Sequence, residues 1–504
     1  MEKAIPDFWE KSKKEAEQYR FAPKVMEEGT VISVGDDIAH ISGLFSARLY
    51  ELLEFESGDS GIAFDLDREH TGVVILRNKK GVRAGDRVYS TGRVISIGVG
   101  EELPGRVLDA LGNPLDGHRV PRAETFYPVE REAPSLIQRD FVSDPLYTGI
   151  KVIDALLPIG KGQRELIIGD PSSGKTAIAV DTIINQKRSD VICIYVAIGQ
   201  KRDHILKVMK EIKQYGDASK TVFITADATE TLGLQYVAPY SATAIAEYFC
   251  DRGRDALVVY DDLSKHANAY RALSLLLKRP PGREAYPGDI FYLHSRLLER
   301  PGKLNERYGG GSITALPIVE TQQGNISAYI PTNLVSITDG QIYMNTLLLN
   351  KGIRPAIDVG KSVSRIGGKA QVEIMKEVAG RLKIDYSRFL EVEVFTKFGM
   401  KIEEETAKLI TRGERLREIL KQPEFQPRTI EEEVLSLMIV ESGILDSVEL
   451  AAVRDRCREI MATVREKLPD ILQEIRDRGR LTDTDKERLI GLITAYEPLA
   501  NKTE

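Results

Sequence analysis

Glu165-Leu166-Ile167-Ile168-Gly169-Asp170-Pro171-Ser172-Ser173-Gly174-Lys175-Thr176 is the stretch on which the reading of this chain turns. Its second part, Gly169 to Thr176, fits G-x-x-x-x-G-K-[ST], the spacing of a phosphate-binding loop. Residues 165–168 have the length and apolarity of a buried strand. Residues 176–185, with Ala177, Ile178, Val180, Ile183 and Ile184, have the pattern of a helix. With strand, loop and helix in that order, backbone N–H groups of Asp170, Pro171's neighbours Ser172 and Ser173, and Gly174 would face phosphate oxygens at a helix N-terminus. Lys175 would reach the β- and γ-phosphates, and Thr176 would offer its hydroxyl to Mg²⁺.

Outward from this loop the chain alternates short apolar runs (192–197, 222–224, 256–260, 312–318) with longer helical stretches, the mark of βα units and a mainly parallel sheet. The run Ala256-Leu257-Val258-Val259-Tyr260 ends in Asp261-Asp262. A carboxylate at a strand end anchors Mg²⁺ through one of its waters, which assigns Asp261 to the metal and leaves Asp262 as a second carboxylate or a turn or cap residue. Before this block, runs such as 31–34, 72–76 and 93–97 are punctuated by Gly35-Asp36-Asp37, Gly58-Asp59-Ser60-Gly61 and Asn78-Lys79-Lys80-Gly81, which reads as a small β-barrel or sandwich. After it, residues 371–381, 403–420, 430–442 and 448–466 carry apolar residues at three- and four-residue spacing and read as amphipathic helices.

These blocks sit in a chain of 504 residues with 42% hydrophobic and 29% charged residues and a net charge of −6. That composition supports several folded domains and excludes disorder as the main state. The acidic balance argues against nucleic acid as a partner. No apolar run approaches the ~20 residues of a membrane-spanning helix. Residues 1–24 are polar and carry Asp7, Glu10 and Glu15, so neither a signal nor a transit peptide is expected. The three cysteines, Cys193, Cys250 and Cys457, are widely spaced and suggest neither a disulfide framework nor a zinc site.

Several segments resemble the alpha subunits of F-type ATP synthases: Gly160-Lys161-Gly162-Gln163-Arg164-Glu165 leading into the loop, Tyr195-Val196-Ala197-Ile198-Gly199-Gln200-Lys201-Arg202, Tyr260-Asp261-Asp262-Leu263-Ser264-Lys265, Pro280-Pro281-Gly282-Arg283-Glu284-Ala285-Tyr286-Pro287-Gly288-Asp289 and Ser362-Val363-Ser364-Arg365. The resemblance runs from about residue 25 to the C-terminus. It implies an α/β architecture, a RecA-like P-loop core at 99–363, with an N-terminal β-barrel at 25–98 and a C-terminal helical domain at 364–504, after a polar segment at 1–24. It implies a place beside beta-type catalytic subunits in an alternating alpha3beta3 ring, with central and peripheral stalks and a membrane sector that conducts protons or sodium. The location implied is peripheral, on the cytoplasmic face of the cell membrane.

Gln200 ends the run 192–199, which is expected to lie beside the phosphate-loop strand. In hydrolysing relatives a Glu at this strand end activates water; a neutral amide is a much poorer base. The family's beta subunits carry Glu there and its alpha subunits carry Gln, so the resemblance implies a site that binds Mg²⁺ with ATP or ADP without turning it over. Outside that context Gln200 is equally a polar loop residue. By the same resemblance Arg365 reaches into the neighbouring beta site as an arginine finger, with Ser362 associated with activity; taken alone, Arg365 is a surface arginine in a Gly- and Ser-rich turn. Arg354 and Gln422 match residues around the adenine. Leu349 and Glu424 stand where an aromatic and a Gln are usual, Pro171-Ser172-Ser173 where the loop usually reads Arg-Gln-Thr, and Gly309-Gly310-Gly311 where an insert is usual. These departures point to a divergent alpha subunit, of the alternate and sometimes sodium-coupled F-type complex, with altered affinity or base preference. The competing readings are a self-sufficient RecA-like ATPase, such as a secretion ATPase or a transcription-termination helicase, and a structural ring subunit without nucleotide.

Overall fold

The computed structural model describes residues 26–396 and 404–496; the polar segment expected at 1–24 lies outside them. The chain divides into two compact units between Val94 and Ile95.

The first unit is a closed barrel of six antiparallel strands: Glu28–Gly35, Ile38–Ser42, Thr71–Arg77, Ser60–Leu66, Glu51–Phe55 and Arg87–Val94, the last pairing back onto the first. Closure removes the edges that a six-stranded sheet would otherwise leave open. Gly35-Asp36-Asp37 is a hairpin turn, with φ of 41° and 68° at the two aspartates, the left-handed pair that a two-residue hairpin loop requires. Val31, Ile41, Leu53, Phe55, Val73, Ile75 and Val88 fill the barrel, each such side chain contributing roughly 1.5–3 kcal/mol on burial.

The expected run 93–97 is not one strand. Val94 ends the barrel, and Ser96–Val99 pairs with Thr125–Pro128 in a separate two-stranded sheet of the second unit. Val94 is 40% exposed while Ile95 and Ile97 are buried. Val94 and Ile95 are adjacent residues of the same apolar kind, and nothing in their composition marks that the pairing partner changes between them.

The second unit is built on a nine-stranded sheet. Its lateral order is Val363–Ser364, Gly340–Met344, Leu166–Gly169, Ser312–Glu320, Asp255–Asp261, Ile192–Ile198, Thr221–Ala226, Val107–Asp109, with Gly302–Lys303 paired off this path to Ser312–Glu320. All pairings are parallel except those of Val363–Ser364 and Gly302–Lys303. Every residue of Leu166–Gly169 and Ile192–Ile198 is buried, as in a parallel sheet covered on both faces. The strand leading to Gln200 is not the neighbour of the phosphate-loop strand: Ser312–Glu320 and Asp255–Asp261 lie between them. Crossover connections return later strands into the middle of a parallel sheet, so order along the chain does not give order across it.

Helices Glu373–Thr396, Glu404–Leu420, Ile430–Glu441, Val453–Lys467, Pro469–Arg478 and Asp483–Thr494 complete this unit. Ile374, Val378, Leu416, Val434 and Ile460 share one apolar core with Ile153, Leu157 and Ile178. Within that core Asp154 and Glu433 are both buried, and each bears electrostatically on the other. Burial pushes Asp154 up to about 6, against hydrogen bonds from Thr148 and Gly149. Burial and the adjacent Asp154 charge push Glu433 well above the usual carboxylate range. The folded chain therefore holds these protons where the unfolded chain has lost them, and the pair subtracts stability as pH rises above the ordinary carboxylate values. For Asp154 that loss is complete above about pH 6. Glu433→Gln removes the ionisable proton at nearly unchanged size. Thermal denaturation should give a variant a few degrees more stable than the parent at about pH 8.5 and nearly equal to it at about pH 5; a difference that is the same at both values would contradict the assignment.

Candidate functional site

The strand Leu166–Gly169 ends in the loop, and Lys175–Asn185 is the helix that follows it. Gly174 caps that helix at φ 100°, a conformation closed to most residues. At Gly169 a Cβ would stand 2.7 Å from the Met344 carbonyl and 2.9 Å from Ser173 Oγ, so the loop can pass under Met344 only without a side chain there. The first N–H groups of the helix have no intrahelical partner and point toward the loop.

Lys175 is buried and donates to the carbonyls of Gly169 at 2.9 Å and Asp170 at 2.7 Å. Burial lowers its basicity, and the carboxylates of Glu320, Asp262, Asp261 and Asp170 pull the other way. Asp170 anchors the loop from outside: its Oδ1 accepts from Thr321 Oγ1 at 2.7 Å and from the Gly324 N–H at 2.8 Å. Ser172 takes φ 60°. Ser173 Oγ is buried with no hydrogen-bond partner among the described residues, an acceptor or donor held ready for a ligand.

Asp261 is the centre of a polar network. Its Oδ2 accepts from Thr176 Oγ1 at 2.9 Å and Tyr195 OH at 2.7 Å, and its Oδ1 accepts from Gln200 Nε2 at 2.6 Å. Burial opposes its ionisation, but His204, 3.8 Å from Oδ2, and the hydrogen bonds from Tyr195 and Thr176 outweigh that and hold its carboxyl below the usual range. Asp262 resolves as a cap: its Oδ1 accepts from the Lys265 N–H at 2.8 Å at the start of helix Leu263–Leu276. Burial, then the Asp261 charge, push Asp262 up to about 7. Gln200 Oε1 accepts from Lys265 Nζ at 2.7 Å, so both ends of this amide are engaged. Although two strands separate the loop strand from that of Gln200, Asp255–Asp261 lies beside the latter and bridges the gap. Tyr195, His204 and Lys265 were not among the sequence candidates. Lys265 lies one turn into its helix after Asp261-Asp262, and that spacing could have flagged it.

The residues fit a magnesium nucleotide. An unpartnered Ser173 hydroxyl, a buried lysine and a hydroxyl–carboxylate pair converge at one loop, and Thr176 and Asp261 have the oxygen chemistry Mg²⁺ prefers. Next to the loop is a solvent-open cleft lined by Ser173 and Gly174 at one end and by Leu349, Arg354, Gln422 and Glu424 at the other. Gln422 is buried and fixed: its Nε2 donates to the carbonyls of Gly149 at 2.7 Å and Gln426 at 2.9 Å, and its N–H donates to Arg354 O at 2.8 Å. Arg354 and Glu424 are exposed at the mouth, and Leu349 is half-buried. Asp181 also lines this cavity and was not a sequence candidate.

Ser362 and Arg365 lie elsewhere. Ser364 pairs with Gly340 at the start of the strand Gly340–Met344, whereas Gly169 pairs with its end at Met344. That is four residues on, about 13 Å at the rise of a parallel strand. Arg365 is exposed; its guanidinium donates to Val335 O at 3.5 Å, and its backbone N–H to Asp339 O at 2.9 Å. Ser362 is buried, donating to Asp358 O at 2.7 Å and accepting from the Tyr343 N–H at 2.9 Å. It pins the turn that presents Arg365. No helix among the described residues is long and apolar enough to cross a membrane.

Three family models match the chain: "ATP synthase alpha/beta family, beta-barrel domain" over residues 24–92, "ATP synthase alpha/beta family, nucleotide-binding domain" over 149–364, and "ATP synthase alpha/beta chain, C terminal domain" over 371–496. The ATP synthase subunit alpha of Petrotoga mobilis is 50% identical over 477 residues, covering 94% of this chain and 95% of that protein. The ATP synthase subunit alpha of Caldanaerobacter subterraneus subsp. tengcongensis is 51% identical over 479 residues, covering 95% of each.

Proposed function

This chain belongs to the ATP synthase alpha/beta family, its half-identical relatives being alpha subunits, and we propose that it is the nucleotide-binding but non-catalytic subunit of a rotary F-type complex. In this reading it alternates with beta-type catalytic subunits in an alpha3beta3 ring, joined through central and peripheral stalks to a membrane sector on whose cytoplasmic face it sits. ATP synthesis or hydrolysis on the beta subunits is then coupled to the passage of protons or sodium. Its own loop holds ATP or ADP through Lys175, with Thr176 and Asp261 toward Mg²⁺, which would neutralise phosphate charge. Arg365 serves the partner's site.

The observation that carries the reading is Gln200. A residue that activates water needs a free basic lone pair. Gln200 is neutral, its nitrogen donates to Asp261, and its oxygen is taken by Lys265. Asp261 itself accepts from Thr176, Tyr195 and Gln200, so neither of these two strand-end side chains offers a free base to water. The purified chain should therefore bind Mg-ATP and Mg-ADP by calorimetry and show negligible steady-state hydrolysis. Gln200→Glu should not by itself create an efficient enzyme, because Arg365 sits at the opposite end of the strand Gly340–Met344 from the loop. Robust turnover by the homogeneous parent chain, abolished by Lys175→Ala, would instead identify a self-sufficient ATPase.

A further inference from the structure

The far end of the nucleotide cavity carries a carboxyl group that neither phosphate binding nor metal binding uses. Gly174, Ala177, Ile178 and Asp181 all line the cavity. Their spacing is i, i+3, i+4, i+7, one face of the helix that starts at the loop. Asp181 is therefore about 10 Å along that face from Gly174 at the helical rise, the distance at which a nucleotide bound by its phosphates presents its base. Asp181 is 5% exposed. Its Oδ1 accepts the Phe425 N–H at 2.7 Å, which leaves Oδ2 as the carboxyl oxygen turned to the cavity that Asp181 lines. Ser173 Oγ, buried and unpartnered, lines the same cavity at its phosphate end, so the two ends are each set for a ligand.

We propose that Asp181 reads the hydrogen-bonding edge of the bound base through its Oδ2, which makes it the residue that sets purine preference at this site. The proposal rests on the nucleotide reading of the cavity. Because the Phe425 N–H keeps Oδ1 as an acceptor, any proton resides on Oδ2. Protonated, Oδ2 donates to the N1 lone pair of adenine. Ionised, it accepts from the N1–H of guanine or hypoxanthine. One atom thus matches opposite bases in its two states.

The surroundings set the crossover. Burial raises Asp181 to about 7, against the Phe425 N–H, and Glu424 from the cavity rim and Glu211 from helix Arg202–Tyr215 add in the same direction. Arg354, exposed at the mouth, is the cation lining the same cavity. The ligand's own polyphosphate adds negative charge at the far end of the helix face.

The test is a titration of the full chain with Mg-ATP, Mg-GTP and Mg-ITP at about pH 6 and about pH 8.5, read as the ratio of dissociation constants. The polyphosphate is common to all three and cancels in the ratio. The preference for ATP over ITP should fall about tenfold between the two values, the scale of one donor–acceptor match, and GTP should follow ITP. In Asp181→Asn the Phe425 N–H selects the amide oxygen, leaving an N–H toward the base. That variant should favour ATP equally at both values, with folding checked by its melting temperature. Glu424→Gln should move the crossover to lower pH without abolishing it. A pH-independent ratio in the parent chain, or an undiminished drift in Asp181→Asn, overturns the proposal while leaving nucleotide binding in place. Failure of all three nucleotides to bind at either pH overturns the reading of the cavity and this proposal together.

Discussion

Arg365→Lys should cost the reconstituted ring roughly 10²–10³-fold in multisite ATP hydrolysis, while assembly and nucleotide binding to this chain stay near normal. The full worth of an arginine finger is about 10³–10⁵ in rate; Lys keeps the charge but gives up the planar fork that grips two phosphate oxygens. The position supports so large an effect. Arg365 is exposed and only loosely tethered by its side chain to Val335 O, so little of its function is spent within its own chain. Its backbone is nevertheless fixed by the bond to Asp339 O and by the buried Ser362 pin, and a guanidinium on a fixed turn is preorganised for a group brought by a neighbour. The measurement is steady-state hydrolysis by rings assembled with each variant. Near-normal rates in the Arg365→Lys ring would remove the residue from the chemistry.

What could be read from the sequence was whatever lay contiguous in it. The phosphate loop, its strand and its helix are one run of residues, and each local preference agrees with the others. The barrel announced itself through turns such as Gly35-Asp36-Asp37, whose backbone demands are carried by the turn residues themselves. The order of strands across the sheet was not legible, because it depends on where each crossover returns rather than on any strand's composition. That is why the strand leading to Gln200 is expected beside the loop strand and is found separated from it by two others. Lys265, the partner of Gln200, is 65 residues away, and no local pattern links them. The same limit hid the end of the barrel at Val94, where one β-branched residue follows another and the chain passes into a different sheet. Asp181 was legible in principle: it falls on the helix face of Gly174, Ala177 and Ile178, and only the cavity distinguishes it from an ordinary helix acid.

Lys175→Ala should act in the opposite direction to Arg365→Lys, weakening nucleotide binding by this chain at least about 100-fold while sparing the partner's first turnover. Lys175 is the buried cation at the loop, and Glu320, Asp262, Asp261 and Asp170 are the acids that bear on it. Removing one member of a buried charge set typically costs about 3–5 kcal/mol, because the remaining charges are left uncompensated. Here those remaining charges are carboxylates, so a polyphosphate would enter a pocket of its own sign. The carbonyls of Gly169 and Asp170 would also lose their donor, loosening the loop that aims its N–H groups. Calorimetry on the isolated variant measures the first effect, and single-site hydrolysis by the assembled ring measures the second. Affinity within about threefold of the parent would mean that the nucleotide does not sit at this loop. Loss of single-site hydrolysis from the first turnover would place the chemistry in this chain, and the division of labour between Lys175 and Arg365 would then fail. A chain that binds with one residue and lends another across an interface requires both outcomes at once: an empty site of its own beside a working partner, and a full site of its own beside a disabled one.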